Sequence, residues 1–254
     1  MVVVIAVVAA GRGRGKTSLI ESVTRKLSGK YRVWTVKHVS DSFDTKDKDT
    51  WRHLKAGAEG SVALGAGSLV VLRSGVNESV GRALDEVPRD VDLVLVEGFK
   101  ESVLPKILIA QSLNEAEEQL ERISNVFAVS GPFADLVANS SVKGVPVLGS
   151  DSVTDRVVRM VVDDQAKRLP GIDCEKCGYS SCKEMANAIL NGEALLRDCR
   201  TLQVSDVVLL MDSMPVYLSE FPKRVVRNVV LGLATSLKGV YLKKTKRIVL
   251  ELRI

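Results

Sequence analysis

Eight consecutive positions, Ala10-Gly-Arg-Gly-Arg-Gly-Lys-Thr17, carry three glycines, two arginines, a lysine and a threonine. Such a run can wrap a phosphate. Gly11, Gly13 and Gly15 allow the backbone to aim several N–H groups at one anion. Lys16 can reach the β- and γ-phosphates of a nucleoside triphosphate, and the Thr17 hydroxyl can ligate Mg²⁺. The pattern is that of a Walker A loop, with Ala10 where glycine is commoner. Together with Ser18, Gly11 to Thr17 are the candidate nucleotide-binding residues. Arg12 and Arg14 either pair with ligand phosphates or project into solvent, where loop arginines are mostly found. An ordinary glycine-rich turn is the plainer reading. A β-type run before the loop and a helical pattern after it argue for the phosphate loop.

A second cluster is made of sulfur. The four cysteines follow the spacing Cys174-x2-Cys177-x4-Cys182-x16-Cys199. Three close thiolates can wrap one face of an iron–sulfur cubane, with the fourth returning from farther along. Lys183–Leu190 reads as a helix starting at the third ligand, and Asn191-Gly192 as its stop. The chain can then double back through Glu193–Arg197; an unbroken helix, rising about 1.5 Å per residue, would carry Cys199 away. Tetrahedral zinc is the competing reading, since four cysteines suit it too. Zinc ribbons generally show two C-x2-C pairs and this chain has one, so a [4Fe–4S] cluster is the expectation. Disulfide frameworks belong to short secreted chains.

A third group is polar and charged. Val36-Lys37-His38 ends an apolar run, and Ser42 to His53 adds Asp44, Arg52 and His53. The stretch is either a solvated loop or, beside a phosphate-loop strand, part of a ligand crevice. The apolar run Asp92–Val96 ends in Glu97-Gly98-Phe99-Lys100. An acid there can hold Mg²⁺ with Thr17 or orient a water, although Asp is more usual. Asp44 and Glu97 are therefore the candidate catalytic carboxylates. Lys37, His38, Arg52, His53 and Lys100 are the candidate anion or substrate contacts. Lys100 either neutralises phosphate charge or marks a helix start.

These groups need a scaffold. With 46% apolar and 26% charged residues, mostly aliphatic and poor in aromatics, the composition favours a parallel sheet covered by helices. Strands are expected at Val2–Val8, Arg32–Val36, Val62–Ala63, Leu69–Leu72, Val91–Val96, Ile107–Ala110, Val126–Val129 and Gly144–Leu148. Helices are expected at Lys16–Leu27, Glu78–Leu84, Glu115–Ile123 and Thr154–Arg168. The alternation gives an α/β, mainly parallel sheet flanked by helices, of the P-loop NTPase type. Leu169-Pro170-Gly171 breaks it. The expected division is 1–168 for the nucleotide-binding domain, 169–200 for the cluster module and 201–254 for a small α+β unit. In that last unit Val204–Leu210 reads as strand, Asp212–Pro215 as turn, Glu220–Leu237 as helix and Arg247–Ile254 as strand. The helix stripe Phe221, Val225, Val226, Val229, Val230, Leu233 reads as core. Met1–Ala10 is too short to span a bilayer and lacks a basic leader, so a cytoplasmic chain without membrane contact is expected. A formal charge of +5 fits a small anion and is too weak to argue for nucleic acid. The basic run Lys243, Lys244, Lys246, Arg247 reads as a solvated turn.

The first part of the chain resembles the MobB proteins, adapters of molybdopterin-guanine dinucleotide biosynthesis. The resemblance runs through Gly15-Lys16-Thr17, Lys37-His38, Phe43-Asp44 and Asp49-Thr50-Trp51-Arg52-His53. It continues in Ala56-Gly57-Ala58, Glu97-Gly98-Phe99-Lys100 and Pro105-Lys106, over roughly residues 1–165. It implies a GTP-binding, often dimeric fold with at most weak GTP hydrolysis, and a molybdenum-cofactor guanylyltransferase or a molybdoenzyme as partner. A homodimer is compatible with it. Two departures stand out: Val39-Ser40-Asp41 replaces a further histidine, and no Asn-Lys-x-Asp guanine-reading run is present. Guanine specificity thus rests on the resemblance. The cysteine segment, from Pro170-Gly171 through Asp198-Cys199, resembles the four-iron domain of RnfB-type redox proteins and archaeal corrinoid iron–sulfur subunits. Beyond the adapter role, an NTP-dependent redox or maturation factor for another metalloenzyme and a redox-gated nucleotide-binding module without catalysis both stay open.

Overall fold

The structure is a computed structural model. It describes residues 2–39, 48–88, 90–137, 140–203, 207, 209–211, 214–216, 218, 220–238 and 248. The chain forms two compact units, 1–164 and 165–254.

The first unit is built on β-branched and leucine-rich runs that become strands: β1 (Val3–Ala9), β2 (Val33–Lys37), β5 (Leu93–Glu97), β6 (Lys106–Ile109) and β7 (Val126–Ser130). They form one sheet in the order β2-β5-β1-β6-β7, and every pairing is parallel. Residues on both faces of β1 and β5 are buried, as a sheet clad on both sides requires. One face holds Ala6, Val8, Val94, Val96, Leu108 and Val129, with Ala116 and Ile123 packed on them. Ala116 belongs to α4 (Leu113–Leu120), which Ser112 caps by accepting from the Glu115 amide at 3.2 Å. Helix α1 (Lys16–Leu27) buries Leu19, Ile20, Val23 and Leu27 and packs on β1 and β5. Helix α5 (Ser150–Lys167) buries Val153, Val157 and Val161 at helical spacing. The expected α/β class is what the chain adopts.

Several local expectations are corrected. Asp49–Lys55 is a helix, α2, where only a polar loop or ligand crevice was read. It buries no residue, so no apolar stripe betrayed it, and Asp49 in its first turn suits the helix dipole. The two short strands expected near 62–72 are a full antiparallel hairpin, β3 (Gly60–Gly65) and β4 (Ser68–Arg73). Ala66 and Gly67 at its tip both have positive φ, the conformation that joins two twisted strands in two residues. Between β4 and β5 lies α3 (Val80–Leu84). The single strand expected at 144–148 is instead the hairpin β8 (Ser141–Val142) and β9 (Val145–Pro146), with Val147 bridging to Val129.

The second unit holds α6 (Cys182–Leu190), a 3₁₀ turn (Leu196–Asp198) and α7 (Arg200–Gln203), the last not foreseen. Strand β10 (Leu209–Met211) pairs antiparallel with β11 (Met214–Val216), which replaces part of the turn expected at Asp212–Pro215. Helix α8 (Glu220–Ser236) is where the pattern placed it, but the stripe is not all core. Phe221, Val225, Val229 and Leu233 are exposed while Val226 and Val230 are half-buried, because the two rows, one residue out of step, lie about 100° apart around the helix. All but residue 248 of the expected strand Arg247–Ile254, the basic run and most of Val204–Leu210 lie outside the described residues. Among the described residues no helix is long and apolar enough to cross a membrane.

Candidate functional site

Strand order decides which side chains meet. Because β5 is inserted between β2 and β1, Lys37 and Val7 are both in register with Glu97. Two residues beyond Val7, β1 gives way to the phosphate loop. The Lys-His, Glu-Gly-Phe-Lys and glycine-rich segments therefore share one edge of the sheet, the carboxyl edge where open α/β folds place ligands.

The loop has the conformation its glycines permit. Gly15, with φ of 90°, caps α1, a position where a side chain would strain the backbone. No acidic residue stands in the first turn of α1, so its positive end is not neutralised. The Lys16 ammonium donates to the Gly11 carbonyl at 2.7 Å, folded back on its own loop. Burial lowers the Lys16 pKa; Glu97 opposes the shift, while Lys100 and Lys37 add to it. Lys100 donates to the Ala10 carbonyl at 3.1 Å. Phosphates placed there would meet three ammonium groups.

The Thr17 hydroxyl donates to Glu97 Oε2 at 3.0 Å, and the Lys37 ammonium lies 3.7 Å from Glu97 Oε1. The two candidate Mg²⁺ ligands are thus in direct contact although eighty residues apart. A cavity of about 430 Å³ opens beside them, lined by Thr17, Thr24, Arg25, Lys37 and Glu97 among others.

His38 extends β2 by donating its amide to the Glu97 carbonyl at 2.9 Å. Its ring lies on Phe99, with centroids 4.6 Å apart, and its Nε2 is 3.9 Å from Glu78 Oε2. Gly98, with φ of 99°, is the residue that permits this approach. A Cβ there would stand 3.1 Å from the His38 Cβ. Arg14 is paired with Glu115 at 3.7 Å, and its carbonyl accepts from the Gln111 amide group at 3.3 Å. Sequence reasoning missed Glu115, Gln111 and Glu78. Ser112-x-x-Glu115 is a capping signature that could have placed Glu115 at the head of a helix, but not beside Arg14. Arg12, Gly13 and Ser18 lie on the same loop and first helical turn. Arg52 is 3.5 Å from Asp49 of its own helix, and His53 is exposed. Among the described residues no hydrogen bond or ion pair joins these two to Lys16 or Glu97. Asp44 lies outside the described residues.

In the second unit the cysteine segment folds as a compact turn. Gly192, in a left-handed conformation, ends α6; the amides of Glu193 and Ala194 return to the Ala188 carbonyl at 2.9 and 3.2 Å. That reversal returns the chain toward the segment that holds Cys177 and Cys182. The Cys199 side chain is buried, and burial pushes its pKa up. Cys174 Sγ lies 3.0 Å from the Thr201 hydroxyl, which, with nearby backbone amides, holds the thiol below its ordinary range. Asp173 and Glu175, flanking Cys174, both have positive φ, a strained state for residues other than glycine. Asp173 Oδ1 accepts the Cys182 amide at 2.6 Å, and Glu184 accepts from Ser180 at 2.7 and 2.8 Å. All four cysteines are free. Among the described residues no three His, Cys, Asp or Glu side chains stand close enough together to hold a metal ion as they are placed. In donor chemistry, though not in an assembled geometry, four thiols between Cys174 and Cys199 suit an iron–sulfur cluster, with zinc as the competitor.

Comparison with known proteins gives the same two parts. Residues 4–131 match the family described as "Molybdopterin guanine dinucleotide synthesis protein B", and residues 169–201 that described as "Putative Fe-S cluster". A Methanocaldococcus jannaschii protein described as "Putative molybdopterin-guanine dinucleotide biosynthesis adapter protein" is 23% identical over 93% of both chains. A Bacillus subtilis protein described as a probable adapter of that kind is 30% identical over 54% of this chain and 80% of its own. The crystal structure of a Bacillus stearothermophilus MobB homolog is 25% identical with a TM-score of 0.47, covering 62% of this chain and 97% of that one. The chain belongs to the MobB family, and carries behind its MobB domain a module of the iron–sulfur type.

Proposed function

We propose that this protein is a GTP-binding adapter in the attachment of guanine nucleotide to molybdopterin, and that Cys174, Cys177, Cys182 and Cys199 hold a [4Fe–4S] cluster. The observation that carries the first half is the direct Thr17–Glu97 contact beneath a phosphate loop whose lysine is still folded on its own carbonyl. Nucleotide binding would draw Lys16 from the Gly11 carbonyl to the β- and γ-phosphates, and Mg²⁺ would take the place of the Thr17–Glu97 hydrogen bond. Lys37 and Lys100 would share the phosphate charge, and His38 on Phe99 would close the wall of the site. With Asp44, Glu97 is the candidate catalytic carboxylate, for hydrolysis that is weak at most. Residues 1–168 would form the nucleotide-binding domain, 169–200 the cluster module and 201–254 the small C-terminal unit.

The relatives' names support the adapter role. The partners it implies are a molybdenum-cofactor guanylyltransferase or a molybdoenzyme, with a second copy of the chain, in a cytoplasmic setting without membrane or nucleic acid. The cluster would supply one-electron chemistry when bound. That chemistry favours a second reading, an NTP-dependent redox or maturation factor. The test is anaerobic purification with iron, sulfide and zinc analysis, then titration with GTP and ATP and addition to a guanylyltransferase assay. The proposal expects iron and sulfide near four per chain, a preference for GTP, and stimulated guanylyl transfer. Zinc alone would sink the cluster, and an unstimulated transferase would sink the adapter role.

A further inference from the structure

The connection from β5 to β6 is unusual. It crosses β1, which lies between them, in the eight residues Gly98 to Pro105 and without a helix. Parallel strands ordinarily need a dozen or more residues and a helix for such a crossing. The short span works because β6 starts partway along the sheet, with Ala6 in register with both Val96 and Lys106. A crossing without a helix has no ladder of its own, so its inward carbonyls need donors from elsewhere.

Lys106 supplies them. Its side chain is fully buried, at 0% exposure. Its ammonium donates to the carbonyls of Ser102, Leu104 and Ser124, the latter two at 3.0 and 3.1 Å. Asn125, in a left-handed conformation, donates its side-chain amide to the Val103 carbonyl at 3.0 Å. Three successive carbonyls of the crossing are thus each met by a side-chain donor. The Ser102 amide closes the turn onto the Phe99 carbonyl at 3.0 Å. All acceptors of the ammonium are neutral, and burial lowers the Lys106 pKa with only Glu101 opposing. So costly a cation is retained where its three protons do something a methyl group could not.

The same crossing carries the residues that touch the candidate site: Phe99 against His38, and Lys100 on the Ala10 carbonyl. We propose that Lys106 is a positioning residue, which pins the Phe99–Pro105 crossing by its carbonyls and so holds Phe99 and Lys100 against His38 and the phosphate loop. The part concerning ligand affinity rests on the nucleotide-binding reading above; the pinning itself does not.

The test uses the full chain with Lys106→Met, which keeps the length and removes the donors. Amide hydrogen exchange without nucleotide is expected to quicken at least about tenfold in residues 99–104, with β1 and β5 still protected. Affinity for GTP with Mg²⁺ is expected to fall about tenfold. In a Lys100→Met background the same change is expected to cost less than about threefold, because both then act through one contact. Unchanged exchange in the crossing, or losses that simply multiply, would overturn the proposal. If Lys106→Met does not fold, Asn125→Gly keeps the left-handed backbone and removes one donor. Faster exchange at 99–104 supports the proposal, and none overturns it. A wild-type chain that binds no GTP defeats the nucleotide reading alone, and exchange still decides the pinning.

Discussion

Glu97→Gln separates the two jobs given to that carboxylate. It is 14% exposed, accepts from Thr17 at 3.0 Å and faces Lys37 at 3.7 Å, and its charge reaches Lys16. At an effective dielectric near 20, two unit charges about 4 Å apart attract by about 4 kcal/mol. Lys37 is 60% exposed, which screens much of that. A ligand-free loss of about 1–2 kcal/mol is therefore expected. The effect on ligand has the opposite sign. Without Mg²⁺ the carboxylate repels a triphosphate, so the amide should bind it as well or about fivefold tighter, a gain of about 1 kcal/mol. With Mg²⁺ the variant would lack one of the two proposed metal ligands, and the gain expected from the ion should largely vanish. Titration with a fluorescent GTP analogue in EDTA and in Mg²⁺, beside thermal melting, measures both. Equal weakening in the two buffers would show that Glu97 is a structural prop and not a metal ligand.

Gly98→Ala should lose about 1–3 kcal/mol in urea unfolding, since φ is 99° and the new methyl would crowd His38 at 3.1 Å. Lys16 gives a pH dependence. On the proposed nucleotide-binding reading its charged form grips phosphate, and its pKa is lowered by burial, so GTP affinity should fall as the pH rises through that lowered value. Phosphate charge raises the pKa again, so calorimetry in alkaline buffers of different ionisation enthalpy should detect proton uptake on binding. In the ligand-free chain the charged, half-buried lysine is a cost that lifts as the pH climbs from the lowered value to 10.5. Cys177→Ser should strip the iron and loosen residues 170–200 to proteolysis, with GTP affinity unchanged; a parallel loss of affinity would show that the two units are coupled.

Features set by near neighbours in the chain could be read from the sequence. The phosphate loop needs only its glycines, the preceding strand and the following helix. The cysteine spacing proposes a donor set, and Asn191-Gly192 announced the chain reversal that follows α6. The long apolar runs predicted a parallel sheet because only strands buried on both faces look like that. Helix α2, which buries nothing, had no periodic signal to give. The sequence was equally silent on which strand lies beside which. Only the insertion of β5 between β2 and β1 sets Glu97 against Thr17 and Lys37, and only the packing of α4 hands Glu115 to Arg14. Lys106 is the sharpest case. In the sequence Pro105-Lys106 is one of the segments shared with the family, with no role attached to it; in the fold, burial sets its ammonium on two carbonyls of the loop just before it and on that of Ser124, eighteen residues on. Partners of that kind are chosen by what desolvation leaves available, and no local pattern of residues records the choice.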